Sequence, residues 1–134
     1  VRNIMWNYCG VLRSGEGLNK GLEELMKVKE ASADVDVRPS AEGFSDLALA
    51  LDLLGSIDSA EATIRAAIER RESRGAHQRS DFIDTDKSEN VNYVIEIVDG
   101  KQVVTRSNVP PLPEELEEPM QAYEDLSVDG RLLE

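Results

Sequence analysis

The sequence predicts a mainly α fold, in which a three-helix bundle over residues 1–80 precedes a small β-hairpin and an extended acidic tail within 81–134. Within the first part, leucines and isoleucines recur at three- and four-residue steps, which is the spacing of one helix face. In the second part, two β-branched runs flank an Asp-Gly pair, a pattern typical of a tight hairpin. Prolines and acidic residues then replace any periodic pattern. We expect the second part to pack on the bundle or on a domain outside this chain.

The first two helices are predicted over residues 1–12 and from Ser14 to about Ala33. In the first helix, Gly10 is expected to weaken the structure without ending it. Ser14 is a suitable N-cap for the second helix, and Glu16 lies in the first turn, where the positive end of the helix dipole favours a carboxylate. The predicted inner face of the second helix consists of Leu18, Leu22, Leu25 and Met26.

The third helix is predicted to be the longest element, beginning near Phe44. Its apolar stripe consists of Leu47, Leu51, Leu54, Ile57, Ile64 and Ile68. Flanking apolar residues widen the stripe, so the helix is expected to be buried along much of its length, in a bundle like a spectrin repeat. Asp58 and Glu61 have capping-box spacing, which leaves a break near Gly55 open, but the phase of the stripe favours a continuous helix. Gly75 occupies a position suited to a left-handed C-terminal cap.

The hairpin is predicted from Val91–Val98 and 101–105, the two runs that flank the Asp-Gly pair. An isolated hairpin is only marginally stable in water, so this one must lie against the helices or against something absent. The proline-rich segment 110–113 breaks any strand, and residues 114–120 are expected to form one or two helical turns. The segment 121–134 is acidic, has no firm pattern, and is expected to be extended or to wrap the surface.

The composition argues against several classes of protein, among them nucleic-acid-binding and membrane-inserted proteins. The chain has 134 residues, of which 40% are hydrophobic, enough for one domain with a core. Its net charge of −12 argues against a nucleic acid or an anionic membrane as partner, because both require a basic surface. No apolar run approaches the roughly 20 residues of a membrane span, so no direct insertion is expected. The single cysteine, Cys9, is expected to be a buried, inert thiol in a reducing compartment.

A polar cluster follows the long helix and consists of Glu72, Arg74, His77, Arg79 and Asp81. His77, the single histidine, has no second ligand at metal spacing, so a network of arginines paired with carboxylates is favoured over a general base or a metal site. The chain has no glycine-rich dinucleotide or phosphate loop and no Ser/His/Asp set. We therefore predict no catalytic, cofactor-binding or metal-binding residue within the chain itself.

Three segments carry a family resemblance, two of them through sequence motifs. Residues 72–81, Glu-Ser-Arg-Gly-Ala-His-Gln-Arg-Ser-Asp, resemble the signature Glu-Ser-Arg-Gly-x-His-x-Arg-x-Asp at the end of a long helix in the succinate dehydrogenase/fumarate reductase flavoprotein family, which includes L-aspartate oxidase. Residues 4–13 resemble the family's Met-Trp-x-x-x-Gly-(Ile/Val)-x-Arg helix, and residues 110–116 resemble its proline-containing tail. A proline and an Arg-Asp-Asp that often follow the signature are absent, which leaves the subfamily open. The proline-rich ending favours a succinate dehydrogenase or fumarate reductase.

The resemblance implies that this chain is the C-terminal helical domain of a longer subunit, which fits a sequence that begins at Val1 rather than at methionine. The family's full-length subunit binds FAD outside this region, interconverts succinate and fumarate, and passes electrons to an iron–sulfur partner. The family's catalytic residues also lie upstream, so none is carried over. The implied location is cytoplasmic, with membrane association through partner subunits.

A structural and interface role therefore follows from the resemblance, with the flavin-binding domain of the same chain as partner. The candidate interface residues are those of the polar cluster, Glu72, Arg74, His77, Arg79 and Asp81, and Arg74 is expected to dock the bundle onto that domain. Two alternatives stay open: the corresponding domain of L-aspartate oxidase, and a free-standing acidic helical interaction module.

Overall fold

The computed structural model describes residues 1–37, 44–117 and 119–120. Its helices are α1 (Arg2–Tyr8), α2 (Gly15–Ser32) and α3 (Phe44–Glu69). Its strands are β1 (Leu12–Arg13), β2 (Gln78–Arg79), β3 (Val91–Val98) and β4 (Lys101–Asn108), and a short 3-10 turn spans Lys87–Glu89. Residues 38–43, residue 118 and the predicted tail, 121–134, lie outside the described residues.

The core lies where the three helices meet, and it is aliphatic. Its buried members are Cys9, Leu18, Leu25, Ala60, Ile64 and Ala67. Half-buried side chains from α1 and from the two longer helices pack against this cluster, namely Val1, Ile4, Met5, Leu22 and Ile68. The prediction of a mainly α fold with a bundle and a small hairpin is confirmed, and so is the buried position of the Cys9 thiol.

The first helix is shorter than predicted, because α1 ends at Tyr8 and not near residue 12. After Gly10, which has a weak helical preference, the chain becomes extended. The strand β1 then pairs in parallel with β2, and the Ser80 amide donates to the Arg13 carbonyl at 2.8 Å. The prediction that Gly10 does not end the helix is wrong, since a distant strand offers the backbone a better partner.

The second helix follows the prediction closely. The Ser14 hydroxyl accepts a hydrogen bond from the Gly17 amide at 3.1 Å, which confirms the N-cap. Gly21 is required by packing, since a Cβ there would lie 2.7 Å from the Cβ of Tyr8 on α1. Leu18 and Leu25 are fully buried, but Met26 is 38% exposed, so its place on the inner face was predicted wrongly.

The third helix is continuous through Gly55, as predicted, but only its C-terminal half is buried. Leu47, Leu51 and Leu54 are 41%, 61% and 50% exposed, so the expectation of burial along much of the helix is wrong for this half. The reason is length: α3 has 26 residues against 18 in α2, so its first turns extend beyond the helix that covers the rest.

The predicted cap at Gly75 is also wrong, because α3 already ends at Glu69. Gly75, with a φ of 56°, lies instead in a separate tight turn. In that turn, the Arg74 amide donates to the His77 carbonyl at 2.8 Å, and the His77 amide donates to the Arg74 carbonyl at 3.0 Å. The guanidinium of Arg79 caps the end of α3 instead.

The hairpin is confirmed. β3 and β4 are antiparallel, and both central residues of their turn, Asp99 and Gly100, have positive φ angles of 49° and 73°. The hairpin packs against α3, and the Gln102 side-chain amide donates to the Asp58 carbonyl of that helix at 2.9 Å. Beyond the prolines, residues 114–117 form the predicted helical turn.

Candidate domain-interface site

The two segments that resemble family motifs lie side by side in the structure. The parallel pairing of β1 with β2 joins the end of segment 4–13 to segment 72–81. The Arg13 guanidinium then donates from Nη1 to the Nδ1 atom of His77 at 2.8 Å. Arg13 belongs to the first segment and His77 to the second. Together with the polar cluster of segment 72–81, they form what we call the charged corner, at the C-terminal end of α3.

Arg79 is the buried centre of this corner, with 3% of its surface exposed. Its Nη1 donates to the carbonyls of Ala67 at 2.8 Å and of Arg70 at 3.1 Å, so it caps the end of α3. Its Nε and Nη2 bind both carboxylate oxygens of Asp81, at 2.7 and 2.8 Å. This pairing holds the pKa of Asp81 far below its usual range.

Asp81 carries the connection on to the second helix. One of its oxygens also accepts from the Gly15 amide at 2.8 Å, at the positive N-terminal end of α2. The Arg79–Asp81 pair therefore ties the C-terminal end of α3 to the N-terminal end of α2. Both residues belong to the predicted cluster, and the predicted pairing of arginines with carboxylates at a helix end is what the structure shows.

Glu72 is the second buried centre, and its side chain is fully buried. It accepts from Arg74 Nε at 2.9 Å, from Arg74 Nη2 at 3.1 Å and from the Asp86 amide at 2.8 Å. Arg70 Nη1 donates to the same carboxylate. These donors, with Arg74 foremost, lower the pKa of Glu72 to about 2.

Arg70 joins this second centre to the hairpin. Its Nη2 donates to the Val91 carbonyl at 2.6 Å, and its guanidinium lies 4.7 Å from the centre of the Tyr93 ring. The Tyr93 hydroxyl donates to the Glu89 carboxylate. Burial, together with the charge of Glu89, raises the pKa of Tyr93 to about 12. The charged corner is therefore what attaches the start of the hairpin to the end of α3.

His77 is a neutral imidazole held in one tautomer. Because Nδ1 accepts from Arg13, the ring proton is on Nε2, which donates to the Arg70 carbonyl at 3.2 Å. Burial lowers the pKa of His77, and three neighbouring arginines lower it further. Both ring nitrogens are engaged. In the described part of the chain, no group of three or more His, Cys, Asp and Glu side chains converges as a metal would require.

The outward edge of the corner carries the surface that another domain could reach. The side chains of Arg74 and Asp81 are 39% and 37% exposed. His77 is half-buried, whereas Glu72 and Arg79 are enclosed. Glu72 and Arg79 therefore form the interior of the charged corner, whereas Arg74, His77 and Asp81 form its accessible surface.

Sequence reasoning missed part of this face. Beside His77, a cavity of about 320 Å³ is lined by Arg13, Arg70, Asn92 and Tyr93 among others; we call it the Arg13 pocket. Next to it lie Trp6, Val11 and Leu12, which are 82%, 66% and 73% exposed and which we call the Trp6 patch. Both surfaces contain residues of segment 4–13, so the motif itself was the available signal.

A family described as "Fumarate reductase flavoprotein C-term" matches residues 1–129. A quinol fumarate reductase structure from E. coli superposes with a TM-score of 0.74 at 26% identity, covering 83% of this chain and 20% of that one. The chain belongs to the family of C-terminal domains of fumarate reductase flavoproteins.

Curated relatives show how far the likeness extends. The succinate dehydrogenase flavoprotein subunit of Rickettsia bellii is 33% identical over 107 residues, which cover 78% of this chain and 18% of the relative. L-aspartate oxidase of Pyrococcus furiosus is 38% identical over 82 residues, which cover 61% of this chain and 13% of the relative. The chain therefore spans less than a fifth of the length of either relative.

Proposed function

We propose that this chain is the C-terminal domain of an FAD-dependent succinate dehydrogenase or fumarate reductase flavoprotein subunit. Its role is to support the flavin-binding domain of the same subunit, and it performs no catalysis alone. The observation that carries the proposal is the charged corner, in which the two family segments meet on one face with exposed apolar surface beside them. Two further observations support the proposal. The chain matches a family of fumarate reductase flavoprotein C-terminal domains, and it spans only 18% of the length of a succinate dehydrogenase relative.

FAD does not fit the described residues. Gly15 and Gly17 follow β1 at the start of α2, but Lys20 stands where the dinucleotide fingerprint needs its third glycine. The amides that a phosphate would need there are already taken, since Gly15 donates to Asp81 and Gly17 to Ser14. We therefore propose that FAD binds to the upstream domain. No described helix is long and apolar enough to cross a membrane. An iron–sulfur subunit as partner and a cytoplasmic location, with membrane association through partner subunits, belong to the same proposal.

The five cluster residues act in this proposal in two ways. Glu72 and Arg79 give the corner its shape from within, while Arg74, His77 and Asp81 present it to the flavin-binding domain. The proposal also keeps the division of the chain into a bundle over 1–80 and a hairpin region over 81–134. Docking through Arg74 predicts that Arg74→Ala in the full-length subunit weakens flavin retention or activity. Normal retention and activity in that variant would exclude Arg74 from the interface.

Deletion of this chain tests the proposal. The full-length subunit and a version that stops before Val1 are purified, and bound flavin is measured by absorbance after gel filtration. We expect the shortened subunit to lose flavin and succinate/fumarate turnover, because its flavin-binding domain lacks support. The 134-residue chain alone is expected to bind no FAD. A shortened subunit with full flavin content and turnover would contradict the proposed role.

The L-aspartate oxidase alternative rests on the relative from Pyrococcus furiosus, which has 38% identity over 82 residues. Turnover of the full-length subunit on L-aspartate, compared with succinate, separates the two activities. A free-standing acidic module is a third reading. It predicts no glycine-rich dinucleotide motif in the coding sequence upstream of Val1, whereas the proposal requires one.

A further inference from the structure

Arg13 differs from the other half-buried and buried arginines of the described chain in its choice of partners. Each arginine of the following set pairs with an acidic side chain: Arg65, Arg70, Arg74 and Arg79. Arg13 instead donates from Nε to the Gly10 carbonyl at 2.6 Å and from Nη1 to the neutral His77 ring at 2.8 Å. No carboxylate pairs with Arg13 within residues 1–37, 44–117 and 119–120.

This arrangement fixes the guanidinium but leaves its charge uncompensated. Two of its nitrogens are held by acceptors that bring no negative charge, and the remaining nitrogen, Nη2, has no partner among the described residues. A carboxylate would compensate this charge best, because Nη2 can donate to one of its oxygens and a charge-assisted hydrogen bond is stronger than one to a neutral acceptor. The chain carries a net charge of −12, so the shortage of acid at this point is local.

The surroundings indicate a protein as the source of the carboxylate. Arg13 lines two adjacent concavities: the Arg13 pocket, and a second of about 510 Å³ that Trp6 and Leu12 also line. An exposed tryptophan and an arginine amid aliphatic side chains are the composition of an interface centre. A free dicarboxylate would leave the Trp6 patch uncovered. The chain spans only 18% of a relative's length, so a large upstream region is available to cover the patch.

We propose that Arg13 anchors the domain interface by receiving an Asp or Glu carboxylate of the flavin-binding domain, while the Trp6 patch packs around that ion pair. This inference rests on the proposed function and adds the chemistry of the contact: an acidic side chain within an apolar surface. His77 then acts as a positioning residue, since its Nδ1 holds the guanidinium in place.

The test uses the full-length subunit with Arg13→Gln, and Arg71→Gln as the matched control. Arg71 is exposed and makes no ion pair in the described chain, so its variant removes the same charge elsewhere. We expect Arg13→Gln to speed the release of FAD on dilution at least about tenfold, because the acid of the partner is left buried and unpaired. Arg71→Gln should release FAD at the wild-type rate. Equal rates for the two variants would overturn the inference.

Two further variants distinguish loss of the domain interface from a folding defect. Trp6→Ser changes a side chain that is 82% exposed in the chain, so it should leave the thermal unfolding of the 134-residue chain unchanged and still speed FAD release from the subunit. Leu12→Cys should resist maleimide in the native subunit and react after denaturation. Free reaction in the native subunit, or protection that disappears on dilution as for a second copy, contradicts the inference.

The inference and the proposed function fail separately. If the subunit without this chain retains flavin and turnover, the proposed supporting role is wrong. An interface through Arg13 would then have no role in flavin retention. If deletion abolishes flavin retention while Arg13→Gln and Trp6→Ser behave like wild type, the domain docks by another face and only the inference is wrong.

Discussion

Glu72 offers the sharpest prediction about stability, because its carboxylate is fully buried and two arginines depend on it. Glu72→Gln keeps the shape of the side chain and removes its charge. In the folded chain, Arg70 and Arg74 would then share an amide oxygen in place of an anion, and the amide nitrogen would face hydrogen-bond donors. Breaking a buried ion pair by altering one partner typically costs about 3–5 kcal/mol.

The lowered pKa of Glu72 sets the pH range in which this contribution is lost. The folded-state pKa of Glu72 is about 2, compared with an ordinary 4.5. A carboxylate whose pKa is lowered on folding stabilises the folded state above its unfolded pKa, and this contribution disappears as the pH falls through the folded pKa. The difference corresponds to about 3 kcal/mol at neutral pH, in line with the cost expected from the mutation.

Urea unfolding of the 134-residue chain, followed by circular dichroism, measures both effects. At pH 7 we expect Glu72→Gln to lower the free energy of unfolding by about 3 kcal/mol. Between pH 4.5 and about 2, the wild type should lose this advantage while the variant changes less, so the two curves converge. Curves that stay parallel, or a loss at pH 7 below about 1 kcal/mol, would refute the role given to this carboxylate.

Three further predictions follow from the packing and the secondary structure. Ile64→Ala should cost about 2–5 kcal/mol in urea melts because the side chain is fully buried. Leu54→Ala should cost less than about 1 kcal/mol because that side chain is 50% exposed, and similar losses in the two variants would contradict the packing. Burial raises the pKa of Cys9, so a maleimide should modify the native chain far more slowly than the urea-unfolded chain at pH 7; equal rates would place the thiol at the surface. The isolated chain should give a dichroism spectrum dominated by helix with a minor strand component; a spectrum dominated by strand or coil would exclude the bundle.

Elements set by local pattern could be predicted from the sequence. The Ser14 cap and the first turn of α2 depend on neighbours a few residues apart, and so does the turn at Asp99 and Gly100. The continuity of α3 follows from the phase of its stripe. Even the longer gap in that stripe has a physical explanation, because Glu61 is buried there against Lys29, at 2.7 Å, and Arg65, at 2.8 Å.

Errors arose where a distant partner decides the structure. The end of α1 depends on the pairing of β1 with β2, and no local rule places those segments together. The cap of α3 comes from Arg79, whose guanidinium replaces the glycine cap expected at Gly75. The exposed half of α3 reflects where α2 stops, because periodicity identifies an apolar face without telling which part of it is covered.

The candidate site was predictable in composition but not in arrangement. The predicted pairing of arginines with carboxylates in this short segment is confirmed, and the pair of Arg74 with Glu72 is one example. The contact between Arg13 and His77 joins residues 64 positions apart, so spacing could not reveal it. For the same reason, the Arg13 pocket emerged only from the folded chain.

Hydrogen–deuterium exchange of segment 72–81 tests the central claim, that the charged corner docks onto a flavin-binding domain, most directly. The exchange rates of its backbone amides are compared between the 134-residue chain and the full-length subunit. Segment 101–108 of the hairpin, for which no docking role is proposed, serves as the internal reference. We predict that the turn at Gly75 and Ala76 exchanges rapidly in the chain alone, where both residues are exposed, and becomes protected in the subunit. Equal exchange in the two proteins would contradict docking through this corner.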